Sequence, residues 1–396
     1  MPREKIMAKD VNVDPDVFEA LVDSVDRFVR ERLIPAERQV EEDAEVPAAI
    51  VQEMREMGLF GLSTPEEYGG IGLSAAQEAR IVESLCYASL SFRSLLGTNV
   101  GIGSQGIVMD GTDAQKRDWL PGIASGETVA SFALTEPDNG SDAGGIRTSA
   151  RRDGSDFVIN GTKRYITNAV YAGVFTVFAR TDPNSKDGSG VSALLVPADT
   201  PGITVAEPDR KMGQRGTKTS DVIFEDVRVP ESAIIGGPDN LNKGFRTAMK
   251  VLDRGRIHVG AMAVGQGQRM LDIATDYALE RKQFGKPIGE HQLVQGLLAD
   301  CQADLQAGRA LVRATADTFD REGKAILEAS CTKYFCTEMA GRIADRALQV
   351  HGGAGYMSEY DIERFYRDVR LLRIYEGTSQ IQQLIIARRT LAARAG

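Results

Sequence analysis

Val129-Ala130-Ser131-Phe132-Ala133-Leu134, running into Thr135-Glu136-Pro137-Asp138-Asn139-Gly140-Ser141-Asp142, marks where the chain changes its period. Upstream, from about residue 14 to 128, Val17, Leu21, Val25, Phe28 and Val29 recur three and four apart, the spacing of one helix face. Pro35 is expected to kink or end that helix. Residues 66–73 read as a loop. Downstream, short runs rich in β-branched and aromatic residues follow at 129–134, 156–159, 174–180, 191–196 and 221–224. Asp182-Pro183-Asn184 and Thr200-Pro201-Gly202 are among the turns between them, so a small sandwich or barrel is predicted. Helical patterns return from Asn242 to Ala395, broken at Gly285-Lys286-Pro287, at Gly352-Gly353-Ala354-Gly355 and at Gly377. Helices, then strands, then helices, with no alternating βαβ units, predict an α+β chain with domains 1–128, 129–237 and 238–396.

The 396 residues are 42% hydrophobic and 26% charged, ordinary for a globular protein. A net charge of −9 argues against a nucleic-acid binder, which carries a basic surplus. No apolar run approaches the ~18 residues that span a bilayer. Met1-Pro2-Arg3-Glu4-Lys5 resembles neither a secretory signal nor a transit peptide, so the cytoplasm is the expected location. Cys86, Cys301, Cys331, Cys336, His258, His291 and His351 show no metal-ligand spacing, and no metal is expected. Gly101-Ile102-Gly103-Ser104-Gln105-Gly106 matches the dinucleotide fingerprint in letters. That fingerprint needs a strand before it, and here a helical segment precedes it, so close helix packing explains it better.

Three stretches carry candidate chemistry. Thr135 and Ser141 place hydroxyls around a strand-end turn, suited to the polar edge of a flat heterocycle or a phosphate, or simply to the turn itself. Tyr165-Ile166-Thr167-Asn168 sets a ring beside hydroxyl and amide groups, and such a ring can stack on a cofactor. Arg373-Ile374-Tyr375-Glu376-Gly377-Thr378-Ser379-Gln380 puts one carboxylate ahead of an apolar helix bearing Ile381, Leu384, Ile385 and Ile386. A carboxylate there either complements the helix dipole or, against an apolar wall, serves as a base near neutral pH.

Taken together these stretches closely resemble the acyl-CoA dehydrogenase family, from about Val17 to Leu391. The most diagnostic segments are Ala133 to Gly145, and Gln349 through Gly352-Gly353-Ala354-Gly355-Tyr356 and Glu359 to Arg364 and Asp368. Asp253-Arg254-Gly255-Arg256 and Arg281-Lys282-Gln283-Phe284-Gly285-Lys286-Pro287-Ile288 lie between them in family order. The resemblance implies an N-terminal helical domain, a middle antiparallel β domain and a C-terminal four-helix domain. It also implies FAD and a homotetramer in which a neighbouring subunit completes the FAD pocket. Thr135 and the turn to Ser141 would contact flavin and the pantetheine side of the substrate. Tyr165, where the family often has Trp, would border the isoalloxazine with Thr167 and Asn168. Arg281, Phe284, Gln292, Gln349 and Gly353 would reach the FAD of a neighbouring subunit, and Thr378 and Gln380 would make the last FAD contacts. Asp253 and Arg256 would touch the CoA portion or position the site, and Tyr375 and Gly377 would flank the substrate.

The reaction implied is α,β-dehydrogenation of an acyl-CoA to a trans-2-enoyl-CoA, with Glu376 taking the α proton and flavin N5 the β hydride. In the family, the backbone N–H of the catalytic Glu helps hold the thioester oxygen. Electrons then pass to an electron-transfer flavoprotein. Some relatives carry the base just before the position of Arg256; here that residue is Gly255, which cannot serve. A short- or medium-chain substrate is expected. Ser91-Phe92-Arg93-Ser94 resembles the stretch of glutaryl-CoA dehydrogenases whose arginine binds a distal carboxylate, so Arg93 would admit a dicarboxylyl-CoA if it points into the acyl pocket. The competing expectation is that Arg93 faces solvent or pairs with an internal acid. Oxidases and monooxygenases of the same fold are further alternatives; the former are usually much longer and the latter usually lack the Glu.

Overall fold

The computed structural model describes residues 13–395. In chain order it begins with helices α1 (Pro15–Phe28), α2 (Ile34–Asp43), α3 (Ala48–Glu56), α4 (Ala75–Leu85), α5 (Leu90–Val100), α6 (Gln105–Asp110) and α7 (Asp113–Ser125). Strands β1 (Val129–Ala133), β2 (Ser149–Asp153), β3 (Asp156–Thr167), β4 (Ala172–Arg180), β5 (Val191–Pro197), β6 (Ile203–Val205) and β7 (Thr219–Pro230) follow. Helix α8 (Gly244–Glu280), a small hairpin of β8 (Lys282–Gln283) and β9 (Lys286–Pro287), and helices α9 (Gln292–Glu322), α10 (Ile326–His351), α11 (Ile362–Val369) and α12 (Ser379–Ala395) complete it. This is the α+β order of helices, sheet and helices. No helix among the described residues is long and apolar enough to cross a membrane.

The chain divides into two compact units. One comprises the described residues up to Pro35, Gly72–Leu90 and everything from Arg256 on. Its core is helical: Val82, Met262, Leu305, Met339, Ile343, Phe365 and Leu372 are buried together. Gly308 on α9 lets α10 close in, since a Cβ there would stand 2.5 Å from the Met339 sulfur. Asp14 caps α1, accepting from Asp16 N at 2.9 Å, and Val22, Val25 and Phe28 form its buried face. Across this unit, Asp320 of α9 caps α4 by accepting from the N–H groups of Ala75 and Ala76 at 2.7 and 2.9 Å. Pro35, expected to kink or end the helix, lies just past an interruption of the helical run. A π-turn over Val29–Leu33 precedes it, and Pro35 falls in the first turn of α2, where a missing N–H costs little.

The other unit comprises Ala36–Ile71 and Ser91–Gly255 and holds a seven-stranded sheet of order β1-β4-β2-β3-β7-β6, with β5 on β4. β2 and β6 escape a reading of apolar runs because one is almost wholly exposed and the other has three residues. Most pairings are antiparallel, but β4 pairs parallel with β1 and β2. Along β4, Phe175 and Val177 enter one apolar cluster while Val174 and Phe178 enter another with Ile107, Leu120 and Ile123. Covering on both faces explains why this strand reads as an unbroken apolar run. Gly103 of the fingerprint-like stretch packs against a strand rather than another helix: a Cβ there would lie 2.4 Å from the Ala130 carbonyl oxygen.

A buried ion pair ties the strand-end turn to this sheet. Lys163 of β3 is fully buried and donates to Glu136 Oε1 at 2.8 Å and to the Leu134 carbonyl at 3.0 Å. Glu136 also accepts from the backbone N–H groups of Arg147 and Thr148, at 2.6 and 2.8 Å. Burial lowers the Lys163 pKa from 10.5 to about 8. Burial alone would raise the Glu136 carboxyl, but the Lys163 charge and these hydrogen bonds leave it below its ordinary value. Glu136→Ala strands a buried ammonium and is expected to cost about 3–5 kcal/mol of stability, read from the urea midpoint. Because the folded pKa of Glu136 is depressed, its contribution is present above the ordinary carboxylate pKa and lost as pH falls through the folded one. Glu136→Gln should therefore flatten part of the acid limb of stability, and an unchanged limb would refute that role.

Candidate active site

Glu376 and Gly377 form an elbow between a 3₁₀ turn (Arg370–Arg373) and α12. Both residues are left-handed, with φ of 53° and 88°. Glycine adopts that conformation freely; glutamate does so at a cost, so the surroundings must hold it. Lys333 of α10 donates to the Gly377 carbonyl at 2.7 Å. Gln382 Nε2 donates to the carbonyls of Glu376 and Gly377 at 3.2 and 3.1 Å. Thr378 begins α12 by accepting from Ile381 N at 3.3 Å. Glu338 braces both sides, accepting from Ser379 Oγ at 2.6 Å and Arg373 Nη1 at 3.2 Å. The Tyr375 hydroxyl points to Met262 Sδ at 3.9 Å.

The apolar stripe expected of α12 is not its buried face. Gln382 is fully buried while Leu384 is half exposed, because Gln382 is needed to satisfy two elbow carbonyls. Gln380 is exposed, and Thr378 is half-buried with its hydroxyl engaged in the cap. Lys333 and Gln382 are the residues that sequence reading missed. The signal for Lys333 was a lysine among Ala329, Ser330, Thr332, Cys336 and Thr337, all of which are buried. Burial lowers the pKa of Lys333 to about 8; the charges of Glu376 and Glu338 pull it back up, and that of Arg256 pushes it further down. Arg256, on α8, is itself buried and close enough to act on the charge of Lys333. Asp253 is half-buried on the same helix.

In the sheet unit, Thr135 follows β1 half-buried, its carbonyl accepting from Arg164 N at 2.8 Å, and Ser141 is exposed in the turn. Tyr165 sits where the register of β3 on β7 shifts between Lys163 and Ile166, with φ of 59° and its ring 58% exposed. Arg164 lies over that ring at 4.8 Å. Thr167 is half-buried at the end of β3. The amide nitrogen of Asn168 turns inward and donates to Ser94 O, Leu95 O and Thr98 Oγ1 at 3.0–3.1 Å. The side chain thereby ties the end of β3 to α5. Arg93, also on α5, is 7% exposed with its guanidinium against Gly97, so it does not face solvent.

The residues expected to serve a neighbouring subunit are exposed. Arg281 and Gln292 lie at either end of the β8–β9 hairpin region, and Phe284 at its tip is 94% exposed with φ of 53°. Gln349 and Gly353 are exposed at the end of α10, where nothing lies within 4 Å of a Cβ placed on Gly353.

Residues 16–127, 131–227 and 242–391 match the N-terminal, middle and C-terminal domains of acyl-CoA dehydrogenases. A 3-(aryl)acrylate reductase of Clostridium sporogenes (strain ATCC 15579) is 43% identical over 367 residues, 91% of this chain and 94% of that protein. The mitochondrial short-chain specific acyl-CoA dehydrogenase of Homo sapiens is 40% identical over 373 residues, 94% of this chain and 90% of that protein. Among solved structures, butyryl-CoA dehydrogenase from Megasphaera elsdenii is similar with a TM-score of 0.91 at 32% identity, covering 97% of this chain and 100% of that one. The helical–β–helical order, the Glu376 elbow and these matches along nearly the whole chain make it a member of the acyl-CoA dehydrogenase family, an oxidoreductase.

Proposed function

We propose that this protein dehydrogenates a short-chain acyl-CoA thioester between Cα and Cβ, with Glu376 as the base, and passes the electrons to an electron-transfer flavoprotein. The observation that carries this reading is where the backbone is strained. Eight non-glycine described residues have positive φ, and four of them are Tyr165, Asn168, Phe284 and Glu376. Each such residue costs about 1–3 kcal/mol, which folding alone gives no reason to concentrate at candidate site positions. The residues fit FAD: Tyr165 offers an exposed side chain with Thr167 two residues on and Thr135 bonded to the backbone of Arg164, and Phe284, Arg281 and Gly353 stand open for a cofactor held with a second copy. Bound FAD supplies the hydride acceptor.

The chain's own residues do the rest. Glu376 breaks the Cα–H bond by accepting its proton, and its backbone N–H is assigned to the thioester oxygen, where charge gathers. Acyl entry expels water from the half-buried carboxylate and makes it a stronger base. A short chain is supported by the human short-chain specific enzyme and the butyryl-CoA dehydrogenase as relatives. Similarity to a 3-(aryl)acrylate reductase adds that the same groups serve the reverse direction, Glu376 then returning the proton. A homotetramer is supported by Phe284, Leu293 and Tyr356, which are 94%, 88% and 82% exposed in the single chain.

Anaerobic flavin bleaching by butyryl-, octanoyl- and glutaryl-CoA tests the reading. Butyryl-CoA should bleach fastest, and preference for glutaryl-CoA would instead assign buried Arg93 to a distal carboxylate. Glu376→Gln should keep FAD and slow bleaching by about 10²–10⁴-fold; bleaching at the normal rate would remove Glu376 as the base. Leu293→Arg should leave the fold's stability within about 0.5 kcal/mol but shift light-scattering mass below that of a tetramer. An unaltered mass would exclude this face from the assembly.

A further inference from the structure

Lys333 is the least expected side chain in the helical unit. It is 0% exposed, on a helix face otherwise made of small residues, where an aliphatic side chain would spare the cost of burying an ammonium. Its hydrogen bond goes to the carbonyl of Gly377, at 2.7 Å. That carbonyl belongs to the second of two consecutive left-handed residues, so the bond holds the Gly377–Thr378 peptide, one peptide beyond Glu376, and with it the turn that carries Glu376. We propose that Lys333 is the positioning residue of the base: it clamps the elbow through Gly377, and its positive charge keeps the adjacent Glu376 carboxylate ionised. The proposal rests on the reading of Glu376 as the base.

The charges around Lys333 support the second part. Arg256 from α8, Glu376 from the elbow and Glu338 from α10 itself all act on it, with Glu376 the stronger attraction of the two acids. Glu338 is already held by Arg373 and Ser379. The sign follows directly. A neighbouring cation lowers a carboxyl pKa, so removing it raises the pKa, and a base that must be ionised then loses activity from the acid side first. Lys333 titrates near 8, so it remains mostly charged at neutral pH.

The test uses the FAD-loaded enzyme, butyryl-CoA as reductant and three variants. Lys333→Met removes bond and charge, Lys333→Gln keeps a donor and removes only the charge, and Glu376→Gln controls for the base. Lys333→Met should retain flavin and bind butyryl-CoA within about 3-fold of normal, while the limiting bleaching rate at pH 7 falls about 10–100-fold. Its acid limb should rise by about one pH unit. Lys333→Gln should show the same displaced limb with a smaller loss of rate. A flavin-loaded Lys333→Met with normal rate and normal acid limb overturns the proposal. Should Lys333→Met fail to fold, an undisplaced limb in Lys333→Gln overturns it. Normal bleaching by Glu376→Gln would instead sink the assignment of the base, whatever the Lys333 variants do.

Discussion

The 2.7 Å bond from Lys333 to the Gly377 carbonyl holds the elbow on which the proposed base of the helical unit sits. A glutamate in left-handed backbone relaxes unless its flanking peptides are held. Here the two peptides that follow it are held, Glu376–Gly377 by the buried amide of Gln382 on α12 and Gly377–Thr378 by that amide and an ammonium from α10. The energy that strains Glu376 comes from helix packing around it, in which Met262, Met339, Phe365 and Leu372 are buried together. A well-packed helical core is rigid enough to store that strain in one place.

The sheet unit uses the same device. Lys163 is equally buried, is likewise lowered to about 8, and likewise donates to a main-chain carbonyl beside a candidate site turn, that of Leu134 just before Thr135. It differs in having a tightly bonded carboxylate partner, Glu136. The difference matches the tasks. Around Thr135 the charge is neutralised and the turn is simply fixed. Around Glu376 the cation faces the carboxylate proposed as the base, which would change its protonation state during reaction.

The cost of this arrangement is spread over the surface. Phe284, Leu293 and Tyr356 expose large apolar area, and Phe284 does so from strained backbone. Exposure of that size on a folded chain marks surface meant to be covered.

The order of helices, strands and helices was legible in the sequence because burial imposes period: three and four along α1, two or continuous along the sheet. The elbow was legible too, since Glu376-Gly377-Thr378 combines an acid, a residue free to turn left-handed and a helix cap within three positions. What sequence alone misjudged were residues whose partners are distant in the chain. Leu384 was left exposed while Gln382 was buried. Lys333, 44 residues before the carbonyl it holds, looked like an ordinary helix lysine. Local periodicity and turn chemistry are written in neighbouring residues, so sequence determined the elements and the place of the acidic elbow. Which polar side chain satisfies which buried carbonyl depends on contacts that exist only after the helices pack, and tertiary structure alone decided it.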